Sequence, residues 1–160
     1  MARNSRRLVA SLLMASAAVV AVSACSPIVT QYGTAPSDGI QVEIGDQIRG
    51  ENLLILSPAE GAEGVLIGAL VNRWESPTTV SLSVGESAEA VTVEVDGGST
   101  VLLEPDHEHV TIASVPAAPG ATIDVILSSP EEGSVSVAVP VLDGTLAPYD
   151  ELVPAAPEEE

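Results

Sequence analysis

Hydrophobic and polar positions alternate with a period of two through much of the middle of the chain. The segments Ile40-Gln41-Val42-Glu43-Ile44 and Val91-Thr92-Val93-Glu94-Val95 show the alternation most clearly, and residues 80–84 and 135–139 repeat it. A strand with one face buried and one face in water has this pattern because successive side chains point to opposite faces. The pattern therefore predicts half-buried β-strands at these positions.

Three further segments, residues 53–56, 65–71 and 123–127, are almost continuously apolar. Such runs are typical of strands buried on both faces. Turn residues separate nearly all of these segments, and no sustained apolar stripe of period 3.6 lies between residues 40 and 143. Eight or nine short strands at this spacing predict an all-β domain, an antiparallel β-sandwich, with a barrel as the alternative.

The clearest turn is Asp96-Gly97-Gly98, which lies between the strands predicted at residues 91–95 and 100–103. Glycine adopts the positive φ that a tight turn demands. The sequence therefore predicts a hairpin at this position.

The first 24 residues have a different character. Residues 1–7 carry three arginines, and residues 8–24 are uncharged and mostly apolar. This run is shorter than the roughly 20 residues that a membrane-spanning helix needs. A basic segment, an apolar run and small residues at its end are typical of an export signal, with an uncleaved anchor helix as the alternative. The adjacent Arg6 and Arg7 are also compatible with twin-arginine export.

The segment Val22-Ser23-Ala24-Cys25 resembles the bacterial lipobox, and Cys25 is the only cysteine of the chain. The resemblance implies cleavage between Ala24 and Cys25, a diacylglycerol on the thiol and an acyl chain such as palmitate on the freed amine. Each buried methylene contributes about 0.8 kcal/mol, so two or three chains anchor a protein firmly. We therefore expect a lipoprotein on the extracytoplasmic face of the cell membrane.

Composition divides the rest of the chain into three parts. Residues 25–39 hold the lipidated cysteine and a tether rich in Pro, Gly and small polar residues. Residues 40–143 form the β-sandwich domain, long enough for one modest core. Residues 144–160 contain three prolines and end in Glu158-Glu159-Glu160, a composition that predicts a disordered acidic tail.

Charge excludes one class of partner. Beyond residue 24 the chain has two arginines, no lysine and 23 acids, whereas affinity for nucleic acids needs clustered Lys and Arg. The acids are spread along the chain, which favours a solvated surface. The alternative is a surface that collects divalent cations or meets a basic partner in the cell envelope.

The segment Asp106-His107-Glu108-His109 has metal-ligand chemistry. On a strand, His107 and His109 would point to the same side, with Asp106 and Glu108 beside them. Such a set could bind Cu(II) or Zn(II) weakly. The alternative is a solvated entrance to a strand, with no cofactor.

Hydrolytic motifs are incomplete. Gly85-Glu86-Ser87-Ala88-Glu89 lacks the second glycine of a nucleophile elbow. The pairs Glu131-Glu132 and Asp150-Glu151 are expected to diverge on turns, and Trp74 is expected in the core or at its rim. The sequence therefore predicts no catalytic residue and no enzyme.

The order of these features resembles secreted copper chaperones of the PCuAC type and related actinobacterial lipoproteins. The resemblance rests on an apolar strand that ends at Asn72, on the strand at residues 121–127, and on the turn and strand that follow it to Val141. It implies a cupredoxin-like, Ig-like Greek-key sandwich.

The family binds Cu(I) with a His and Met pair on a mid-domain hairpin and a His-x-Met on a later strand. Here His109-Val110-Thr111 has Thr in place of that Met, and residues 91–103 hold neither His nor Met. Two functions follow as hypotheses. One is a non-catalytic lipoprotein with a binding or structural role in the cell envelope. The other is a copper-chaperone-like metal carrier that uses His107 and His109.

Overall fold

The computed structural model describes residues 37–85, 90–104, 106–108 and 110–155. Nine strands and one short 3-10 helix, Tyr149–Glu151, form within these residues, and the predicted all-β class is confirmed. The strands are β1 (Ile40–Ile44), β2 (Ile48–Leu56), β3 (Gly64–Asn72), β4 (Thr78–Val84), β5 (Val91–Val95), β6 (Thr100–Leu103), β7 (Val110–Ile112), β8 (Thr122–Ser129) and β9 (Gly133–Leu142). No helix in this part of the chain is long and apolar enough to cross a membrane.

The strands form two layers, as a sandwich requires. One layer holds β1, β2 and β3, with β6 and β7 both paired to β3. The other holds β5, β4, β8 and β9 in that order. The layers are joined where β2 and β9 run parallel, at Ile55↔Val141 and Leu56↔Leu142. The predicted sandwich is confirmed, but the sheet is mixed rather than purely antiparallel and nearly closes into a barrel.

Alternation places the core between the layers. In β4, for example, Val80, Leu82 and Val84 are buried while Ser81 and Ser83 lie on the outer face. Twenty buried side chains from the strands and from Val115 form this inner core. The alternating segments of the sequence thus become strands with one face in the core, as predicted.

A bulge in β2 changes which side chains face the core. Before it Ile48 points into the inner core, and after it Leu53 and Ile55 do, so the parity of the inward positions changes. The register with β3 shifts between Glu51 and Leu54, and Asn52 has φ 51°. Gly68 of β3 lies against the bulge at φ 134°, where a Cβ atom would be 2.7 Å from the Glu51 carbonyl oxygen. The bulge leaves Leu54 facing outward.

The hairpin predicted at Asp96-Gly97-Gly98 is wrong. Strand β5 pairs with β4, whereas β6 pairs with β3 in the other layer. The turn therefore carries the chain from one layer to the other. Gly98 has φ 66°, as turn chemistry requires, and a Cβ on Gly97 would lie 2.2 Å from the Glu75 carbonyl oxygen. The local prediction of a glycine turn holds, but the strands that it connects do not pair.

Asn72, at the end of β3, links two connections that cross between the layers, the one from β5 to β6 and the one from β3 to β4. Its side chain is 1% exposed. The Nδ2 group donates to the carbonyl oxygens of Ser76 (2.8 Å), Val95 (3.1 Å) and Asp96 (3.2 Å), and Oδ1 accepts from the Trp74 N–H (2.9 Å). Ser76 lies in one crossing, and Asp96 lies in the other. The single buried side-chain amide of Asn72 thus bonds to both connections that cross between the layers.

The first part of the C-terminal tail differs from the prediction of disorder. Tyr149, Leu152 and Val153 pack with Leu142 on a second apolar cluster, which lies on the outer face of β2 and β3 and consists of Leu54, Leu56, Val65 and Ile67. All four cluster residues are at most 5% exposed. The physical reason is that the outward apolar side chains need a cover, and the few apolar residues of the tail supply it. We call residues 143–155 the strap.

Several sequence predictions fall outside the described residues. They are the leader (residues 1–24) with Ala24, the lipidated Cys25, the tether up to residue 36, and the final residues 156–160 of the tail. The proposed boundaries at residues 24 and 39 remain predictions.

Candidate functional site

The predicted metal-binding segment lies in the connection between β6 and β7. These two strands pair with successive parts of β3, at Gly68–Val71 and at Gly64–Leu66. The connection is therefore a loop between two short strands that both pair with β3. Two backbone hydrogen bonds close it, from His107 N to Glu104 O (2.9 Å) and from Glu108 N to Leu102 O (3.3 Å).

Three described residues of this connection are open to solvent. Asp106, His107 and Glu108 are all exposed. His107 Nδ1 lies 3.7 Å from Glu104 Oε2, with side-chain exposures of 56% and 44%. An exposed pair of this kind contributes at most about 1 kcal/mol, and only while the imidazole is protonated. The structure thus places the His107 imidazole close to one carboxylate, that of Glu104, which the predicted metal-binding set did not include.

His107 does not lie on a strand, so the prediction that it points to the same side as His109 loses its basis. Strand β7 begins at Val110, and His107 lies in the bend before it, so a position on the strand does not fix its direction. His109 lies outside the described residues, and its placement relative to His107 stays a prediction. Within the described ranges, no three His, Cys, Asp or Glu side chains form a group that could hold a metal ion.

The donor set does not suit Cu(I). That ion prefers soft sulfur ligands, and the two methionines of the chain are Met1 and Met14, within the predicted leader. Thr111 stands where the resemblance implies a methionine. Its side chain is exposed, between the buried Val110 and Ile112, so the position faces out of the core but offers a hydroxyl. Imidazole and carboxylate ligands suit Cu(II) or Zn(II) instead.

The two arginines beyond the leader share one carboxylate. Arg49 Nη2 lies 2.7 Å and Arg73 Nη2 lies 3.3 Å from Glu43 Oε1, and Arg49 Nη1 lies 3.1 Å from Glu51 Oε1. Burial is the largest single influence and opposes ionisation of Glu43, but the hydrogen bonds and charges of the two arginines together outweigh it and hold the pKa of Glu43 below the usual value. Both arginines are thus paired with acids.

The acids of the β8–β9 turn diverge, as expected for neighbours on a turn. Glu131 Oε2 accepts hydrogen bonds from the buried Thr78 hydroxyl (2.6 Å) and from the Ser129 hydroxyl (3.0 Å). The bond from Thr78 is the main reason why the pKa of Glu131 lies below its usual value. Glu132 Oε2 instead accepts from the Asp46 N–H at 2.8 Å. The two carboxylates join different parts of the sandwich and form no acid–base pair with each other.

Trp74 lies at the rim of the sandwich, as the sequence analysis expected of a core or rim residue. It is half-buried, and its carbonyl oxygen accepts from Gly98 N at 2.6 Å. Of the incomplete nucleophile-elbow segment, Gly85 ends the described range and residues 86–89 lie outside it.

Two connections that organise the domain were not predicted. One is Asn72, whose only sequence signal was its position at the end of an apolar strand. The other is the hydrogen bond from Tyr149 Oη to Asp38 Oδ2 (2.9 Å), which joins the strap to the segment just before β1. Burial, followed by the hydrogen bond and charge of Asp38, raises the pKa of Tyr149.

Comparison with known proteins shows where this fold has been seen. No protein-family model matches the sequence, and no curated protein does. Among solved structures, the chain is similar to a copper-bound PCuAC domain from PmoF2 (TM-score 0.51, 18% identity, 64% of this chain and 97% of the other). It is similar to an apo PCuAC domain from PmoF1, with a TM-score of 0.51 and 14% identity over 64% of this chain and 98% of the other. It is also similar to the apo PmoF2 domain, with a TM-score of 0.50 and 17% identity over 64% of this chain and 94% of the other. The chain thus has the fold of PCuAC domains, as the sequence resemblance implied.

Proposed function

We propose that the chain is an exported lipoprotein, anchored through Cys25 on the extracytoplasmic face of the cell membrane, with a non-catalytic β-sandwich that has a binding or structural role in the cell envelope. The observation that carries the proposal is the position of Cys25. This only cysteine of the chain directly follows the uncharged run of residues 8–24 and precedes the predicted tether and the β-sandwich. Lipid chains on that residue would supply the membrane affinity.

The hydrogen-bond network around Glu131 supports a role without catalysis. The buried hydroxyls of Thr78 and Ser129 both bond to a carboxylate that is itself on the surface, and the one imidazole in the described part of the chain, that of His107, takes no part in that network. A nucleophilic hydroxyl needs a base that can take its proton and be reprotonated near neutral pH. The low pKa of Glu131 makes it a poor base, and we assign the network to holding the β8–β9 turn.

Fractionation of cells that express the full chain tests the anchor. The wild type should sediment with membranes, and Cys25→Ser should move to the soluble exported fraction because no thiol is left to alkylate. Ser26→Ala is the matched control, and we expect it to stay with the membranes. A Cys25→Ser variant that still sediments with the membranes contradicts the proposed anchor.

A second candidate is a copper-chaperone-like metal carrier. The observation that favours it is the fold shared with PCuAC domains, one of them copper-bound. The ligands would be His107 and His109 with Asp106 and Glu108, a nitrogen and oxygen set that selects Cu(II) or Zn(II) over Cu(I). The Glu104 carboxylate near His107 would favour a cation there.

Calorimetric titration of the full chain with Cu(II), Zn(II) and Cu(I) separates the two candidates. A carrier should bind one equivalent of Cu(II) or Zn(II) more tightly than about 1 µM, which corresponds to roughly 8 kcal/mol, and His107→Ala or His109→Ala should abolish that binding. Glu94→Gln, an exposed acid on β5, is the control and should leave binding unchanged. Absence of stoichiometric binding removes this candidate and leaves the first.

A further inference from the structure

The strap is attached to the sandwich differently from every strand. The backbone hydrogen bonds described for it are internal, from Tyr149 N to Leu146 O, from Glu151 N to Pro148 O, and from Leu152 N and Val153 N to Tyr149 O. The strands, by contrast, are joined by continuous ladders such as the eight residue pairs between β8 and β9. The described contacts of the strap with the sheet are therefore mainly those of side chains.

These side chains hold the strap only partly. Tyr149, Leu152 and Val153 are half-buried, whereas Leu54 and Leu56 beneath them are fully buried. Val153 also packs closely on Gly144, where a Cβ atom would lie 2.6 Å from Val153 Cβ. The strap thus covers a strongly apolar face with side chains that are themselves only half-buried.

The strap also holds the segment by which the chain enters the domain. Tyr149 Oη donates to Asp38, and the neighbouring Gly39 N–H donates to Asn52 Oδ1 at 2.9 Å. Asp38 and Gly39 are therefore held from two sides, by the strap and by the bulge of β2. The inner core between the two layers contains none of the strap residues.

We propose that the strap is a detachable latch. It opens as a unit while the nine strands stay folded. Its opening uncovers the outer apolar face of β2 and β3 and removes one of the two hydrogen bonds that hold the entering segment, the one at Asp38. Opening of the strap breaks side-chain contacts and the Tyr149–Asp38 hydrogen bond, whereas opening of any strand of the ladders breaks backbone hydrogen bonds and the inner core together. This inference does not depend on the lipid anchor or on metal binding.

Native-state hydrogen exchange of the full chain tests the latch. The amides of Leu152 and Val153 should exchange at least about tenfold faster than those of β8 and β9, at rates insensitive to low denaturant, as local opening requires. Leu152→Ala should speed exchange of the strap and of the Gly39 amide together and should increase binding of an apolar dye, while the β8–β9 ladder is unchanged. Ile126→Ala, a partly exposed site on the other layer, is the control and should leave the strap unchanged.

Two results would overturn the proposal. In one, the strap amides follow the same denaturant dependence as the ladder, which means that the strap opens only when the whole domain unfolds. In the other, Leu152→Ala speeds the strap but leaves Gly39 as protected as in the wild type, which means that the strap does not hold the entering segment.

Discussion

Replacement of Asn72 by Ala tests whether one amide holds the two crossings between the layers. The side chain uses both of its N–H groups on three carbonyl oxygens and accepts a hydrogen bond from Trp74 N. Alanine removes all of these bonds. The Asp96 carbonyl oxygen keeps its bonds from Ser99 N and Ser99 Oγ, whereas the carbonyl oxygen of the buried Val95 loses its amide partner. The change adds no bulk and introduces no new charge, so the loss of hydrogen bonds dominates.

The magnitude follows from the number of bonds. The two N–H groups and the one acceptor amount to about three hydrogen bonds, each worth about 1 kcal/mol net, and a buried backbone group left unpaired costs a further 1–3 kcal/mol. Water can reach the exposed end of this corner, so we expect a total loss of about 3–4 kcal/mol in the free energy of unfolding. A domain with a stability of about 5–15 kcal/mol stays folded after such a loss.

Urea unfolding measures the effect. With a slope of about 2 kcal/mol per molar urea, the midpoint should fall by about 1.5–2 M. Fluorescence of Trp74, the single tryptophan of the chain, and far-ultraviolet circular dichroism should report the same transition. Thr79→Ala, an exposed position on β4, is the control and should shift the midpoint little. Asn72→Asp keeps the shape and the acceptor but loses both donors, and should destabilise at least as much as alanine at pH 7.

A loss below about 0.5 kcal/mol for Asn72→Ala would refute this reasoning, since that is the effect of an ordinary surface substitution. A second result would also refute it. If Asn72→Ala lost about 3–4 kcal/mol while Asn72→Asp stayed as stable as the wild type, the missing N–H donors could not be the cause of the loss.

Three other predictions concern the turn acids, the bulge and the metal ligands. Because the folded-state pKa of Glu131 lies below its ordinary value of 4.5, its contribution to stability is present above that pH and is lost as the pH falls further. Glu131→Gln should therefore flatten the acid side of the stability profile in urea titrations, and an unchanged profile would argue against the Thr78 and Ser129 bonds. Gly68→Ala should destabilise the domain by more than about 1 kcal/mol in the same assay, because φ is positive and a Cβ meets backbone atoms of the bulge; a neutral effect would contradict the close approach. His107→Ala should leave thermal stability without metal unchanged, since its side chain is exposed, and should remove any Zn(II)-induced rise in Tm; a rise that persists would place the ligands elsewhere.

The strands could be predicted from the sequence because their pattern is local. The segments around Val80, Val93 and Val125 each carry their own alternation or apolar run, and each became a strand. Pairing is not local, and Asp96-Gly97-Gly98 shows the limit. The same glycine turn can close a hairpin or carry the chain between layers, and the partner of each strand, together with the corner at Asn72, decides between them.

The strap shows a second limit of reasoning from composition. The predicted tail, residues 144–160, has three prolines and few apolar residues and is expected to stay disordered when taken by itself. The continuous apolar runs at Leu53–Leu56 and Val65–Val71 did indicate that their outer faces would be buried, but nothing in the sequence identified Tyr149, Leu152 and Val153 as the cover. The predicted metal-binding segment is similar, because the residue types at Asp106, His107 and Glu108 are visible in the sequence whereas their directions depend on where β7 begins.

Mass spectrometry of the N-terminus of the protein, purified from membranes, tests the central proposal most directly. We predict a polypeptide that begins at Cys25 and carries a diacylglycerol on its sulfur. An intact leader, or a free thiol at Cys25, would contradict it.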